Sequence, residues 1–324
     1  MVKQFLANDG GMTDGLETHG KWPNDTPSSP HTLSNWQNDF PLKDYRYNRT
    51  WRYYANTQYR KAATEVGRTI LVANNEYGFG EVTSFTGFTR YTKGLLLTEF
   101  LMEMFLGNWD MSCFWDICLQ DRPEDGLLDA ANNYRFNPFC FGMNMLADAQ
   151  GGAFLTSLPA FAVESVDPTL HGFAARKDGV LLVYLLNKSN TSRPVTMQLQ
   201  GASYPAAFAR RMQNSTDGYG EMVNVTVQGS GTNFTCTLPS FTFTEFTFAD
   251  PAAFLKIKSL AVSNGKAMLS WSSLPGAKFT IEQSANLIDW EPAQSNIAPD
   301  NLWTDSELDV GAARNRFFRL RLQP

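Results

Sequence analysis

Residues 69–80 read TILVANNEYGFG. Thr69 to Ala73 form an apolar, partly β-branched, uncharged run of strand type. The run breaks off on Asn74, Asn75, Glu76 and Tyr77, just before Gly78. Two amides, a carboxylate and a phenol can simply turn the chain into solvent, because Asn and Gly are turn formers. They can also face a cleft, where the Glu76 carboxylate becomes available for chemistry. Other chemistries have less to build on. Three histidines, His19, His31 and His171, are the candidate bases, and no G-x-S-x-G elbow is present. A serine hydrolase is therefore disfavoured, while hydrolysis of small esters or lactones through Glu76 or His19 stays open. Residues 121–129, DRPEDGLLD, are acidic but lack EF-hand spacing and read as a solvated loop. GFGEVTSFTG has glycines without a Lys-Ser/Thr end, so a nucleotide is not expected. Cys113, Cys118, Cys140 and Cys236 follow no metal or disulfide pattern, and the first two read as core residues of an apolar stretch. No cofactor and no metal are expected.

The elements around these residues alternate. GLETHGKW (15–22) is a short strand candidate ahead of the loop PNDTPSSP. Residues 45–67 read as a helix with aromatics and Ala on one face and basic residues on the other. The strand TILVANN follows, then a strong helix over 87–108, a buried strand over 109–119 and a last helix over 137–152. Asn137 is placed as its cap and Pro138 in its first turn. Strand and helix in alternation imply parallel βα units. After Gly152 the pattern changes to short strands separated by Gly, Asn, Ser and Pro, as in a β-sandwich. Within it FTFTEFTF alternates aromatic with Thr or Glu, which predicts one buried and one wet face. From about Ala253 a third unit begins, with an Asn264-Gly265 hairpin turn and Trp271, Trp290 and Phe318 as core candidates. The expected division is therefore an α/β region over 1–152, a β-sandwich over 153–250 and a small immunoglobulin-like β-sandwich over 251–324. The last unit reads as independent of the chemistry, and the sandwich reads as packed on the 137–150 helix, since Gly151-Gly152 leaves no linker.

Bulk properties narrow the partners. The chain of 324 residues is 43% hydrophobic and 18% charged, enough to bury a core. A net charge of −5 without a basic run argues against nucleic acid. No apolar run approaches the roughly 20 residues of a membrane span, and no signal peptide is visible, so no membrane partner is expected. Aromatics at 13% are compatible with binding neutral sugars.

Taken together, the strand ending on Glu76 and the next strand carrying Trp115 in SCFWDI resemble the end of a clan A glycoside hydrolase (β/α)₈ barrel. HGFAARKDGVLLVYLLNKS is similar to the sandwich that follows the barrel in arabinofuranosidase, xylosidase, heparanase and agarase types. FTIEQSANLIDW and RFFRL resemble small modules appended to secreted bacterial hydrolases. The resemblance implies a retaining enzyme acting on O-glycosyl bonds of a plant or algal polysaccharide or oligosaccharide. Glu76 would be the nucleophile, at the C-terminal end of a barrel strand where catalytic groups of this fold sit. Asn75 and Tyr77 would line the cleft, Tyr77 hydrogen-bonding Glu76 to keep it ionised. Trp115 would offer its flat face to a sugar ring, and His19 would line the same subsite; Glu17 shares the His19 side without a motif. The resemblance further implies that only strands six to eight lie in this chain. The acid/base Glu of strand four would then be absent, activity weak, and the partner a missing barrel half or a second copy pairing with open strand edges. The full-length parent would be extracellular or periplasmic. The alternatives are a non-catalytic carbohydrate-associated module set and the ester or lactone hydrolase named above.

Overall fold

In a computed structural model the described residues are 2–9, 15–21, 31–38, 43–44, 49–50, 53–78, 85–114, 117–119, 122–150, 153–155, 167–310 and 316–323. Three strands, β1 (Gly15–Lys21), β2 (Leu71–Gly78) and β3 (Met111–Phe114), form one sheet in chain order, every pair parallel. Ile70 and Val72 turn one face of this sheet onto Leu6, Ala55 and Ala63, a small core under the Val2–Asn8 helix and a helical segment over 53–64. That segment starts as a π-helix over Tyr53–Arg60 and tightens to an α-helix over Lys61–Thr64, shorter than the 45–67 helix expected. On the opposite face of β2 and β3, Leu71 and Met111 are 63% and 50% exposed. Cys113 is exposed and Cys118 half-buried, so neither is the core residue that the apolar stretch suggested. The reason is the width of the sheet: three strands offer an apolar face that nothing among the described residues covers.

The Arg90–Leu106 helix begins on a reciprocal cap, Thr89 Oγ1 accepting from Thr92 N and Thr92 Oγ1 from Thr89 N. Its residues are buried nearly all round, as befits a helix enclosed between layers. It meets the Phe139–Ala147 helix at glycines. A Cβ on Gly142 would stand 2.0 Å from Thr98 Oγ1, and one on Gly94 would stand 2.6 Å from Pro138 Cβ. Pro138, rather than Asn137, occupies the cap position of the second helix. Asn137 is instead buried, donating to the carbonyls of Pro123 and Gly126 and accepting from Arg90.

Both helices lie on a six-stranded antiparallel sheet ordered Ala153–Leu155, Leu170–Lys177, Val180–Asn187, Thr242–Ala249, Ala206–Gln213, Glu221–Val225. Tyr184 Oη reaches Met145 O at 3.1 Å, so the sheet touches the second helix directly. A three-stranded sheet, Arg193–Gln198, Asn233–Leu238 and Gln228–Ser230, closes the far face around Phe234, Phe246 and Phe248. FTFTEFTF is consequently buried on both faces, with Thr244, Glu245 and Thr247 all at 0% exposure. Its alternation separates two buried surroundings, not core from water.

Past the Pro251–Phe254 turn of helix, two three-stranded sheets follow, Ile257–Ser263 with Lys266–Ser272 and Trp303–Asp309, and Glu291–Ile297 with Phe279–Ser284 and Phe317–Leu322. Asn264 (φ 51°) and Gly265 (φ 75°) make the hairpin turn between Ser263 and Lys266, both left-handed as a two-residue hairpin loop requires. Trp271 is fully buried, whereas Phe318 is half-buried and Trp290 half-buried under the Arg319 guanidinium. This unit is not self-contained. Trp271, Leu274 and Phe279 belong to one continuous core with Leu95, Met145 and Tyr184. Gly276 (φ 86°) packs where a Cβ would fall 2.5 Å from the Ala209 backbone.

Candidate active site

The parallel sheet brings two of the sequence-derived candidates together at the backbone. The register runs Glu17↔Ala73, Thr18↔Asn74, then His19↔Glu76, with an irregularity between Thr18 and His19. A residue is thus inserted in β2 at Asn75, and Glu76 takes the position across from His19 near the carboxyl ends of both strands. On the other side Tyr77 pairs with Phe114, the last residue of β3, which places the next position, Trp115, beyond the described residues. For Glu17, His19, Asn75, Glu76 and Tyr77 the backbone alone is described. Asn74 does not face the cleft that its neighbours suggested: it is fully buried, its Nδ2 3.7 Å from Met104 Sδ on the long helix. Alternation explains this, because Asn74 shares the helix-facing side with Val72.

His171 is removed from consideration as an exposed base. It is buried with Nδ1 2.9 Å from Glu99 Oε1 and Nε2 3.2 Å from Glu103 Oε1. Lys188 Nζ joins Glu99 Oε1 at 3.0 Å, and Trp36 Nε1 donates to Glu99 Oε2 at 2.6 Å. Burial would raise the Glu99 carboxyl, but Lys188 and His171 outweigh it and hold it below the ordinary range. Lys188 also donates to Trp36 O, so one buried cluster ties residues 33–38, the long helix and the sheet together. This is scaffold for the site, with every titratable member sealed from solvent.

A second cluster organises the rim where the helices begin. Both the Arg90–Leu106 and Phe139–Ala147 helices follow strands of the parallel sheet, so their N-termini lie at the carboxyl-end side of β2 and β3. The opposite end of the long helix confirms the direction, since Asp110 N donates to Val72 O as the chain enters β3. At the rim Arg90 donates to Asp129 and to Asn137 Oδ1, and Tyr219 Oη donates to Asp129. Burial opposes ionisation of Asp129, but Tyr219, Asn132 and Arg90 reverse the balance and bring it down to about 2. Lys93 Nζ pairs with Asp125 at 2.8 Å and Glu124 at 3.3 Å. DRPEDGLLD is therefore not a solvated loop: Asp125 and Asp129 are buried because the helix start supplies the cations that compensate them. An open cleft of about 420 Å³ lies here, lined by Phe85, Phe88, Arg90, Lys93 and Glu124. Glu124 belongs to the acidic run 121–129, but nothing in the sequence marked Phe88, Arg90 or Lys93 as its neighbours. Among the described residues no group of three or more His, Cys, Asp or Glu is arranged to hold a metal.

No family model and no curated protein matches the chain. Solved structures do. The GH51 arabinofuranosidase from Xanthomonas axonopodis pv. citri superposes with a TM-score of 0.54 at 12% identity, covering 76% of this chain and 55% of that one. A Glycoside Hydrolase Family 44 endoglucanase of Clostridium acetobutylium ATCC 824 gives 0.49 at 12% identity, over 76% and 51%. A GH30 endoxylanase from Clostridium papyrosolvens C71 gives 0.46 at 13% identity, over 76% and 60%. The chain spans a little over half the length of these proteins. The chain has a glycoside-hydrolase-like fold, mixed and strand-rich with few helices, at a level of identity that speaks to the fold alone.

Proposed function

We propose that this chain carries the nucleophile-bearing part of a retaining glycoside hydrolase acting on a plant or algal polysaccharide or oligosaccharide. Under this reading β1, β2 and β3 are the last three strands of a (β/α)₈ barrel. The sheets of residues 153–249 form the sandwich behind it, and the sheets from Ile257 onward a small immunoglobulin-like sandwich. The observation that carries the reading is the register at the strand ends, which sets Glu76 opposite His19 on neighbouring parallel strands. Catalytic groups of such barrels stand at this end of the strands. Fold similarity to the arabinofuranosidase supports the assignment.

Glu76 would attack the anomeric carbon, forming a glycosyl ester as the leaving oxygen departs, and water would then hydrolyse that ester. A phenol or amide beside the carboxylate, from Tyr77 or Asn75, would keep it ionised. Trp115 would support the sugar ring. Protonation of the leaving oxygen needs a second carboxylic acid about 5–5.5 Å away in a retaining site, and no residue of this chain is assigned that role. Aryl glycosides bypass the need, because a good leaving group departs unprotonated. The test is hydrolysis of a nitrophenyl glycoside panel by wild type and Glu76→Gln. The substitution keeps size and hydrogen-bonding shape while removing the charge, and should abolish turnover. Full activity in the mutant would remove Glu76 from the mechanism; activity on esters or lactones alone would favour that rival chemistry. A polysaccharide substrate would place the full-length protein outside the cytoplasm.

A further inference from the structure

Between β3 and the Phe139–Ala147 helix stands a small hairpin, Leu128–Asp129 paired with Arg135–Phe136. It is unusual in two respects. Tyr134 and Phe136 are 61% and 64% exposed, two aromatic rings two residues apart on the rim of the candidate site. Asn133 (φ 57°) and Tyr134 (φ 56°) are consecutive left-handed residues. Asn tolerates that conformation; a bulky side chain is disfavoured in it, a cost that glycine would avoid. A strained, exposed aromatic is a poor choice for folding, so its use is to be sought in what it contacts.

The hairpin is held firmly from below. Asp129 accepts from Ala131 N at 2.9 Å, Asn132 Nδ2 at 2.7 Å, Arg90 and Tyr219. Arg135 and Arg90 lie 4.0 and 4.4 Å from the Tyr219 ring centroid, so two guanidinium groups rest against this one ring. Arg90 also lines the 420 Å³ cleft, so the hairpin and the cleft adjoin. Each of these cations has a carboxylate partner: Arg90 with Asp129, Lys93 with Asp125 and Glu124, Arg122 with Asp125, Arg135 with Asp217.

We propose that the 128–136 hairpin is an aromatic platform that binds a neutral glycan chain beyond the point of cleavage, with Tyr134 and Phe136 as its contact rings. The apolar C–H faces of sugar rings stack on such surfaces, and a rigid aromatic gives contact area at little entropic cost. With each cation already paired, a polyuronate finds no spare positive charge, which selects neutral sugars. The proposal takes the class of its ligand from the glycosidase reading, but binding is measured without turnover. An inactive protein therefore still tests it, while the Glu76→Gln comparison on aryl glycosides tests that reading by itself.

The experiment is affinity electrophoresis of the full chain through gels containing soluble arabinoxylan, arabinan, mixed-linkage β-glucan or polygalacturonate. Wild type should be retarded by at least one neutral polymer and not by polygalacturonate. Tyr134→Ala and Phe136→Ala should each weaken retardation by roughly tenfold, and the double variant should abolish it. Tyr134→Gly gives the sharpest contrast: relief of the left-handed strain raises its thermal midpoint while retardation falls as far as in Tyr134→Ala. Phe136→Tyr should retain binding. Unchanged retardation in the alanine variants, no retardation of wild type by any neutral polymer, or stronger retardation by polygalacturonate would each overturn the proposal.

Discussion

Asp148 should make this protein less stable as the pH rises through neutrality. Asp148, at the end of the Phe139–Ala147 helix, and Glu245, in the central strand, both face Arg210. Arg210 Nη2 lies 3.0 Å from Asp148 Oδ2, and its Nε donates to Glu245 Oε2. Tyr184 Oη lies 3.0 Å from Glu245 Oε1, and Asn144 accepts from Arg210 at 3.0 Å. Two carboxylates therefore share one guanidinium in a site where all three are buried, leaving one surplus negative charge. Burial, then repulsion from Glu245, drive the Asp148 carboxyl from 3.8 up to about 7, against the pull of Arg210. A carboxyl raised on folding contributes stability that is fully present below its unfolded pKa, near 4, and lost as pH climbs through 7. At 1.36 kcal/mol per pH unit the full span is worth ~4 kcal/mol. The loss also bears on the C-terminal unit, because Asp148 Oδ1 accepts from Leu302 N and Arg210 donates to Asp300 O. Asp148→Asn mimics the protonated form and should be close to wild type at or below pH 4, and already the more stable by ~1.5–2 kcal/mol at pH 5. At pH 8 it should be the more stable by up to ~4 kcal/mol, about 5–10 °C in thermal midpoint. Urea titrations of both proteins at pH 5, 6, 7 and 8 provide the measurement. Parallel stability–pH curves would refute the reasoning, since the slope would then come from other groups.

Other perturbations have equally definite outcomes. Lys188→Met strands the Glu99 carboxylate in a sealed site and should cost ~3–5 kcal/mol in urea unfolding, with much of it recovered by adding Glu99→Gln. Gly142→Ala drives a methyl to 2.0 Å from Thr98 Oγ1 and should cost ~1–3 kcal/mol; combining it with Thr98→Ala should recover part, which a double-mutant cycle would read. Trp271→Ala should lower stability by ~3–5 kcal/mol within a single cooperative calorimetric transition, because this ring belongs to the shared core. Removal of residues 253–324 should likewise lower the thermal midpoint of what remains, by uncovering Arg210 and Asp148; an unchanged midpoint would mean the C-terminal unit folds apart.

Much of the architecture follows from local patterns. The apolar run at 69–73, the amphipathic stretch at 87–108 and the Asn264-Gly265 pair each specify their element through propensity and turn chemistry, which need no distant partner. The alternation of strands and helices before residue 152 likewise implies the parallel order of β1, β2 and β3, since such strands require helical crossovers. The placement of Glu76 at a strand end is legible in the same way. What faces what is not. Periodicity separates two sides of an element without saying what lies against either, so FTFTEFTF shows its two faces but hides that both are buried. The acidic run at 121–129 looks solvated until Lys93 and Arg90, some thirty to forty residues earlier, are brought against it by the helix start. Cys113 looks like core until the sheet proves three strands wide. The insertion at Asn75, which sets Glu76 across from His19, exists only in the pairing of two strands more than fifty residues apart. Burial, charge compensation and register are properties of pairs, and the tertiary structure alone chooses the pairs.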